Sequence, residues 1–305
     1  MFKHLLVPLD GSRLAESALF PAAQLASRVG AVITLVHIIE KDAPAEVHSD
    51  RHLVTAAEAA AYLAEVAARE LFAGLHVETH VHTAEVSDVA RSIIEHSAEL
   101  VPDLIVMTTH GRGSARRMMS GTIAQQITAS GKTPVLMVRP TVEEEKVEPD
   151  IRTGDWRVIL APLDGNASHE KGLPLVAELA TTFHSRVHIL MVVPRFANLR
   201  GPDEATSLIL PGATRAKLEM LSADSLEYLE AQAGLLEKDG VATSTETVRG
   251  APADAIAKVA RRVEADLVVL GTHGKAGADA FWSGSVAAQV VARMRVPLLL
   301  VPLKE

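Results

Sequence analysis

No cysteine occurs among the 305 residues, so neither a disulfide framework nor a thiolate zinc site can be built. Aromatic side chains make up only 3% of the chain, so any core must be packed from Ala, Val, Leu and Ile. Basic charge is not in excess. The formal net charge is -8, which argues against a non-specific nucleic-acid binder, and no nucleic-acid partner is expected. No apolar stretch reaches the roughly 18 residues that a membrane span needs. The apolar run within Met1–Asp10 is too short for a signal-peptide core with its flanks. The expectation is a soluble, cytoplasmic protein with no membrane partner. A P-loop is missing as well. Gly131-Lys132-Thr133 has the ending of one, but Gln126 stands where that motif needs its first glycine, so the segment reads as a helix stop before Pro134. There is no Walker lysine, no evident water-activating carboxylate beside a phosphate loop and no nucleophile elbow.

What the chain does contain, it contains twice. His4-Leu5-Leu6-Val7-Pro8-Leu9-Asp10-Gly11 returns as Val158-Ile159-Leu160-Ala161-Pro162-Leu163-Asp164-Gly165. Asp103-Leu104-Ile105-Val106-Met107-Thr108-Thr109-His110-Gly111 returns as Asp266-Leu267-Val268-Val269-Leu270-Gly271-Thr272-His273-Gly274. Each half closes on a proline-led apolar run, Pro134 to Val138 and Pro297 to Val301. Landmarks kept in one order define an internal repeat, and the length suits two domains of roughly 150 residues. Between them, Glu143 to Asp155 is charged and poor in apolar residues, which is linker composition. The division is a first domain over 1–141, a linker over 142–154 and a second domain over 155–305.

Within each half, short Val/Ile/Leu runs alternate with stretches of helical spacing such as Leu14 to Val29 and Ser87 to Ala98. Runs that are apolar on both faces are buried parallel strands, and alternation of β and α implies right-handed crossovers. The fold class is therefore α/β, with two tandem Rossmann-like domains, each a five-stranded parallel sheet flanked by helices. Strands are expected near 3–9, 32–39, 76–82, 104–109 and 135–139, then near 157–163, 187–193, 243–248, 267–271 and 298–302. The stretch from Arg195 to Arg215, with Pro202 and Pro211, reads as a loop. The closing strands would lie at sheet edges, where unpaired apolar edges seek partners. Two repeats in one chain let those edges pair as an intramolecular pseudo-dimer, and a homodimer of chains is the further assembly such edges allow.

Open parallel sheets bind ligands beyond the carboxyl ends of their strands. Asp10 and Asp164 both fall there, each before a glycine and a helix start. Such a carboxylate either accepts from ribose hydroxyls or an adenine amino group, or caps the helix. In the second half the other landmark reads Gly271-Thr272-His273-Gly274, then nine residues, then Gly284-Ser285 before a helix. Glycines let backbone approach phosphate oxygens, and a Ser at a helix start adds a hydroxyl at the positive end of the dipole. In the first half Thr108 replaces the first glycine, with Gly111 and then Gly121-Thr122 keeping the spacing. The first half also lacks the Gly250-Ala251-Pro252 turn, so the second site is the better supported. Arg112, Arg116 and Arg117 lie in the first-half loop and read either as phosphate partners or as a solvated surface.

The spacing G-x-x-G-x(9)-G-[ST], with an Asp ending the first strand, resembles the universal stress protein family in its tandem, ATP-binding form. The resemblance spans nearly the whole chain apart from the linker and the 195–215 stretch. It implies that Asp164 and Val193 contact the nucleoside in the second half, with Val192 replacing the family's His, and that Asp10 and Ile38, after His37, do so in the first. Pro162 and Leu163, and Pro8 and Leu9, lead into the two aspartates. Gly271, His273, Gly274, Gly284, Ser285 and Val286 would hold ribose and phosphates. Thr108, His110, Gly111, Gly121, Thr122 and Ile123 are their first-half counterparts. Leu270 and Met107 would flank the adenine. The implied ligand is ATP with Mg2+ between its phosphates, and no residue is assigned a catalytic or metal-ligating role. The implied function is a nucleotide-dependent regulator of a stress response. The alternatives are a slow ATPase or adenylyl-transferring enzyme, and a scaffold with vestigial sites.

Other histidines call for a separate reading. His76, His80 and His82 alternate on one strand face, and His48 and His52 stand four apart. With no acidic ligand pattern beside them, they read as structural rather than as a metal site.

Overall fold

A computed structural model describes residues 1–44, 46–47, 50–108, 123–130, 132–139, 141–143, 146–148, 155–166, 169–199, 202–273 and 286–303. The chain forms two compact units. One is built on residues 1–155 and the closing strand Leu298–Leu303, the other on Trp156–Thr272 and the helix Val286–Arg293.

The first unit contains strands β1 (His4–Pro8), β2 (Val32–Glu40), β3 (Val77–Val86), β4 (Leu104–Thr108) and β5 (Val135–Val138), in the spatial order β3-β2-β1-β4-β5. All four pairings are parallel. Leu5, Leu6, Val7, Ile33, Leu35, Val36, Leu104 and Val106 are each 0% exposed, as strands covered on both faces require. Burying each such side chain contributes about 1.5–3 kcal/mol. The closing strand β10 (Leu298–Leu303) runs antiparallel to β5, with Leu298 opposite Met137 and Leu300 opposite Val135, and covers the edge that β5 would otherwise present. Strand β3 runs four residues beyond its expected end, and its register with β2 shifts between Ile38 and Glu40.

The second unit repeats the order with β6 (Val158–Leu163), β7 (Arg186–Val193), β8 (Thr243–Arg249) and β9 (Leu267–His273), arranged β8-β7-β6-β9 and parallel in each registered pair.

Helices fill the crossovers. The stretch expected as one helix from Leu14 is two: α1 (Arg13–Glu16), capped by Ser12, and α2 (Leu19–Val29). Helix α2 buries Leu19, Ala22, Ala23, Leu25 and Ala26 and ends on Gly30 at φ 68°. His184, at φ 53°, ends its counterpart α6 (Leu173–Phe183) in the same left-handed conformation. Helix α3 (Ala56–Ala67) is capped by Thr55, and α4 (Val89–Leu100) by Asp88, whose side chain accepts from Arg91 N–H. Helices α5 (Ile123–Ser130) and α10 (Val286–Arg293) precede the closing strands.

The expected loop over 195–215 is instead mostly helical. After a short turn at Phe196–Asn198 come α7 (Pro202–Ile209) and α8 (Pro211–Lys238), followed later by α9 (Pro252–Arg262). Pro202 and Pro211 open these helices rather than break them, since the first turn has no use for the missing N–H. The expected linker carries a short antiparallel ladder, Thr141–Glu143 against Lys146–Glu148.

Candidate functional site

Strand β1 stops at Pro8, and the chain turns a corner through Leu9, Asp10 and Gly11. Leu9 N–H donates to Val36 O at 2.9 Å, keeping the corner on the sheet. Asp10 Oδ1 accepts from Ser12 N–H at 2.9 Å and from Ser12 Oγ–H at 2.6 Å, while Gly11 takes φ 89°. Ser12 Oγ in turn accepts from Ala15 N–H at 3.1 Å. The helix cap is therefore Ser12, and Asp10 braces the cap. The second unit forms the same corner. Asp164 Oδ1 accepts from Asn166 N–H at 3.1 Å, and Gly165 takes φ 77°. Asp10 is half-buried and Asp164 exposed.

Beside each corner lies the end of the fourth strand. Met107 is buried and Thr108 half-buried at the end of β4; Leu270 and Thr272 are buried and Gly271 half-buried near the end of β9. Across the intervening residues stand Ile123 and Val286, the first residues of α5 and α10. Both are exposed apolar side chains, at 36% and 39%. The remaining loop assignments, His110, Gly111, Gly121, Thr122, Gly274, Gly284 and Ser285, with Arg112, Arg116 and Arg117, lie outside the described residues, as does Gly131. His273 ends β9.

Strand register corrects one expected correspondence. Pro8 pairs with Val36, and its repeat Pro162 pairs with Leu190. Ile38 therefore corresponds to Val192, and His37 to Met191. Val193 is one residue out of step, and a one-residue step in a strand changes the face. Val193 packs in a buried cluster with Leu199 and with Leu218 of α8. The shared Pro-Leu-Asp-Gly landmark, carried through the pairing, contains the signal that places Val192.

His37 is 1% exposed. Its Nδ1 lies 2.8 Å from Leu9 O and its Nε2 3.3 Å from Leu53 O. Burial is the largest influence on it and holds its pKa below the ordinary imidazole value, against the opposing pull of the two carbonyls.

Sequence reading missed a second repeated contact. The chain has two tyrosines, one per unit, and each donates to the glutamate six residues after the corner aspartate. Tyr62 Oη–H donates to Glu16 Oε1 at 3.0 Å, and Tyr228 Oη–H to Glu170 Oε1 at 2.9 Å. In the first unit Arg69 adds a bidentate grip on Glu16, at 2.7 and 3.1 Å. Burial first, and the carboxylate next, push both phenol pKa values well up. The signal was available: two tyrosines in equivalent stretches and a Glu at the same step from each Asp.

The alternating histidines of β3 meet α4. His96 Nε2 lies 2.9 Å from His82 Nδ1, His96 Nδ1 lies 3.2 Å from Glu99 Oε2, and the His80 and His96 rings are 4.7 Å apart. His76 sits 3.5 Å from Glu78, and His48 is outside the described residues. Among the described residues no group of three His, Asp or Glu side chains is arranged to hold a metal ion. No described helix is long and apolar enough to cross a membrane.

The parallel strand order, the helices that fill the crossovers and the paired carboxylate corners define a tandem repeat of a Rossmann-like α/β domain. The family model for the universal stress protein family matches residues 1–139 and 155–302, and the chain belongs to that family. A universal stress protein of Methanocaldococcus jannaschii is 31% identical over 159 residues, covering 51% of this chain and 89% of its own length. The crystal structure of a universal stress protein from Archaeoglobus fulgidus shares the fold over 99% of this chain and 97% of its own, with TM-score 0.71 and 16% identity. A universal stress protein solved in complex with cAMP matches 49% of this chain and 99% of its own at 21% identity, with TM-score 0.35.

Proposed function

We propose that each unit binds an adenine nucleotide, ATP with Mg2+ between its phosphates, beyond the carboxyl ends of its parallel strands. Occupancy then serves a cytoplasmic, nucleotide-dependent regulator of a stress response. The observation that carries this reading is the corner formed twice. In each unit a carboxylate stands one residue past the strand's last leucine-bearing turn, braced through Oδ1 onto the N–H two residues on.

The residues present suit a nucleoside. An ionised carboxylate accepts hydrogen bonds only, which matches the donors of a ribose diol or an adenine amino group. Met107 and Leu270 offer buried apolar surface at the neighbouring strand ends. Ile123 and Val286 offer exposed apolar surface at the start of the corresponding helix in both units, and a base or sugar bound there would cover it. The bound group supplies a polyphosphate anion. The chain's part is to hold the sugar, shield one base face and present helix N-termini to negative charge. A divalent ion between phosphates needs no cluster of protein carboxylates.

Asp10→Asn and Asp164→Asn keep an Oδ1 acceptor for the turn but remove the charge. Titration calorimetry with Mg-ATP should find two sites in the unaltered chain and one competent site in each variant. Two undiminished sites in both variants would remove the corners from the reading. Mass analysis of small molecules released from freshly purified protein would identify the nucleotide carried.

A further inference from the structure

We propose that His37 is a positioning residue that couples proton uptake to nucleotide binding in the first unit alone, by pinning the Leu9–Asp10 corner to the segment Asp50–Thr55. This rests on the nucleotide reading above and adds regulation to one of its two sites.

The argument starts from donors and acceptors. Both partners of the His37 ring, Leu9 O and Leu53 O, are carbonyls and can only accept. A neutral imidazole has one N–H. It serves the shorter contact, Nδ1–H to Leu9 O, and leaves the Nε2 lone pair facing Leu53 O. An imidazolium donates to both and closes the link between the two segments. The Asp50–Thr55 segment is also tied to the start of α1, because Asp50 Oδ2 accepts from Arg13 N–H at 2.9 Å. The protonation state of His37 thus bears on both sides of the corner that holds Asp10.

The surroundings set the direction. Among the described residues, the charged or titratable groups that reach His37 are His52 and Asp10. His52 is 5% exposed, its Nδ1 has no partner among the described residues, and its Nε2 lies 3.9 Å from Glu40. Strand β3 brings Val81 opposite His37, and the corner that follows β1 brings Leu9. Burial and His52 disfavour the cation, and Asp10 favours it. An anion seated at the corner adds negative potential and so favours the proton; by reciprocity the proton favours the anion. The second unit lacks the device. Met191 stands at the equivalent place, holds no proton, and packs its Cε 3.6 Å from where a Cβ on Gly165 would sit.

The test uses the full chain with Asp164→Asn silencing the second site. Mg-ATP is titrated between pH 8 and pH 6 in buffers of different ionisation enthalpy. The expected result is net proton uptake on binding, with affinity rising about threefold or more over that range, against a ceiling of about tenfold per pH unit for one fully linked proton. His37→Asn keeps a donor for Leu9 O without a titrating group, so it should retain the affinity seen at pH 8 and lose the pH dependence. His37→Met should lose the pH dependence as well, and Asp10→Asn, with the second site intact, should show no proton uptake. A second readout needs no nucleotide. Hydrogen exchange of the 50–55 amides, corrected for intrinsic rates, should gain protection in acid in the unaltered chain and not in His37→Met. Uptake that survives in both His37 variants overturns the proposal. Failure of ATP to bind at any pH, with acid protection still dependent on His37, removes the nucleotide reading and the coupling but leaves the pin. Absence of both effects removes all three.

Discussion

Asp103 and His4 are tied twice: Asp103 Oδ2 accepts from His4 N–H at 3.0 Å, and Asp103 N–H donates to His4 O at 2.9 Å. The same oxygen takes Lys3 N–H at 2.7 Å. In the second unit Asp266 Oδ2 accepts from Arg157 and Val158 N–H, both at 2.9 Å, and Asp266 N–H donates to Val158 O. These aspartates open the second sequence landmark, yet they sit at the amino ends of the strands, away from the corners. Part of the repeated sequence therefore maintains the sheet rather than a ligand.

Asp103→Ala and Asp266→Ala should each cost about 1–3 kcal/mol, the usual loss for hydrogen bonds to a charged acceptor, and toward the lower end because water reaches these groups. Denaturant unfolding followed by probes in each unit should show the loss in the altered unit. A midpoint shift below the scatter of repeat measurements would mean the clamp is idle.

The two tyrosines supply a spectroscopic prediction. Because both phenols are held above their ordinary value of 10.0, ultraviolet titration of the folded chain should show almost no phenolate at pH 10 to 11. The unfolded chain releases those protons first, so this share of stability is intact below about pH 10 and is lost as pH rises toward the folded values. Glu16→Gln should bring forward the ionisation of one tyrosine only. Both ionising near 10 in the native protein would contradict the Tyr–Glu contacts.

In acid the two units should part. Register places Glu246 of the second unit where His80 stands in the first, and Arg262 and Glu99 each stand four residues before the aspartate that leads into the next strand, Asp266 and Asp103. Glu246 contacts Arg262 and His188. Burial pulls its pKa up, but those two partners hold it below the ordinary carboxylate value of 4.5. Its stabilising share is present above that value and declines only as pH falls through the lowered one. His80 is held below 6.5 by burial, then by His96 and His82. Its unfolded form takes a proton sooner, so the first unit should begin losing stability as pH falls below about 6.5. Replacing His80 with Glu and Glu99 with Arg imports the sister pair and should shrink that early loss to the share left by His37, whose burial also holds its pKa down. Thermal unfolding from pH 8 to pH 4 distinguishes the cases, and equal acid profiles for both units would refute the assignment.

The inner strands were legible because burial on both faces leaves unbroken Val/Ile/Leu runs, unlike β3 and β8, which are half-buried or exposed; the repeat was legible because its landmarks sit at strand ends. Other features depend on tertiary context. Pro202 and Pro211 look like breakers until the chain around them is seen to start helices there. The placement of Val193 failed by one residue because landmark spacing alone does not count residues along β7; the pairing of Pro162 with Leu190 does. Tyr62 and Glu16 are 46 residues apart in sequence, and His82 and His96 are 14 apart. Neither contact can be read from local periodicity, since each is set by how a helix lies on the sheet.

Ile123 and Val286 allow a test in which binding and folding separate. Each opens its helix with an apolar side chain at least a third exposed, so neither is needed to fill a core. Ile123→Ser and Val286→Ser should therefore change stability by no more than about 0.5 kcal/mol, as surface substitutions do. If a nucleoside covers these side chains, each loses part of the apolar area that binding removes from water. At about 25 cal/mol per Å², some 40–50 Å² amounts to roughly 1 kcal/mol, or about a fivefold weaker Kd for the altered site. The effect should be confined to the unit that carries the change, because the second unit keeps its own Val286 when Ile123 is altered. Calorimetry on each variant, with the opposite corner carrying the Asp→Asn change, reads the two sites one at a time. An unchanged Kd at both positions would mean that the bound nucleoside does not reach the helix starts, and would confine the proposed pocket to the corner and the neighbouring strand end.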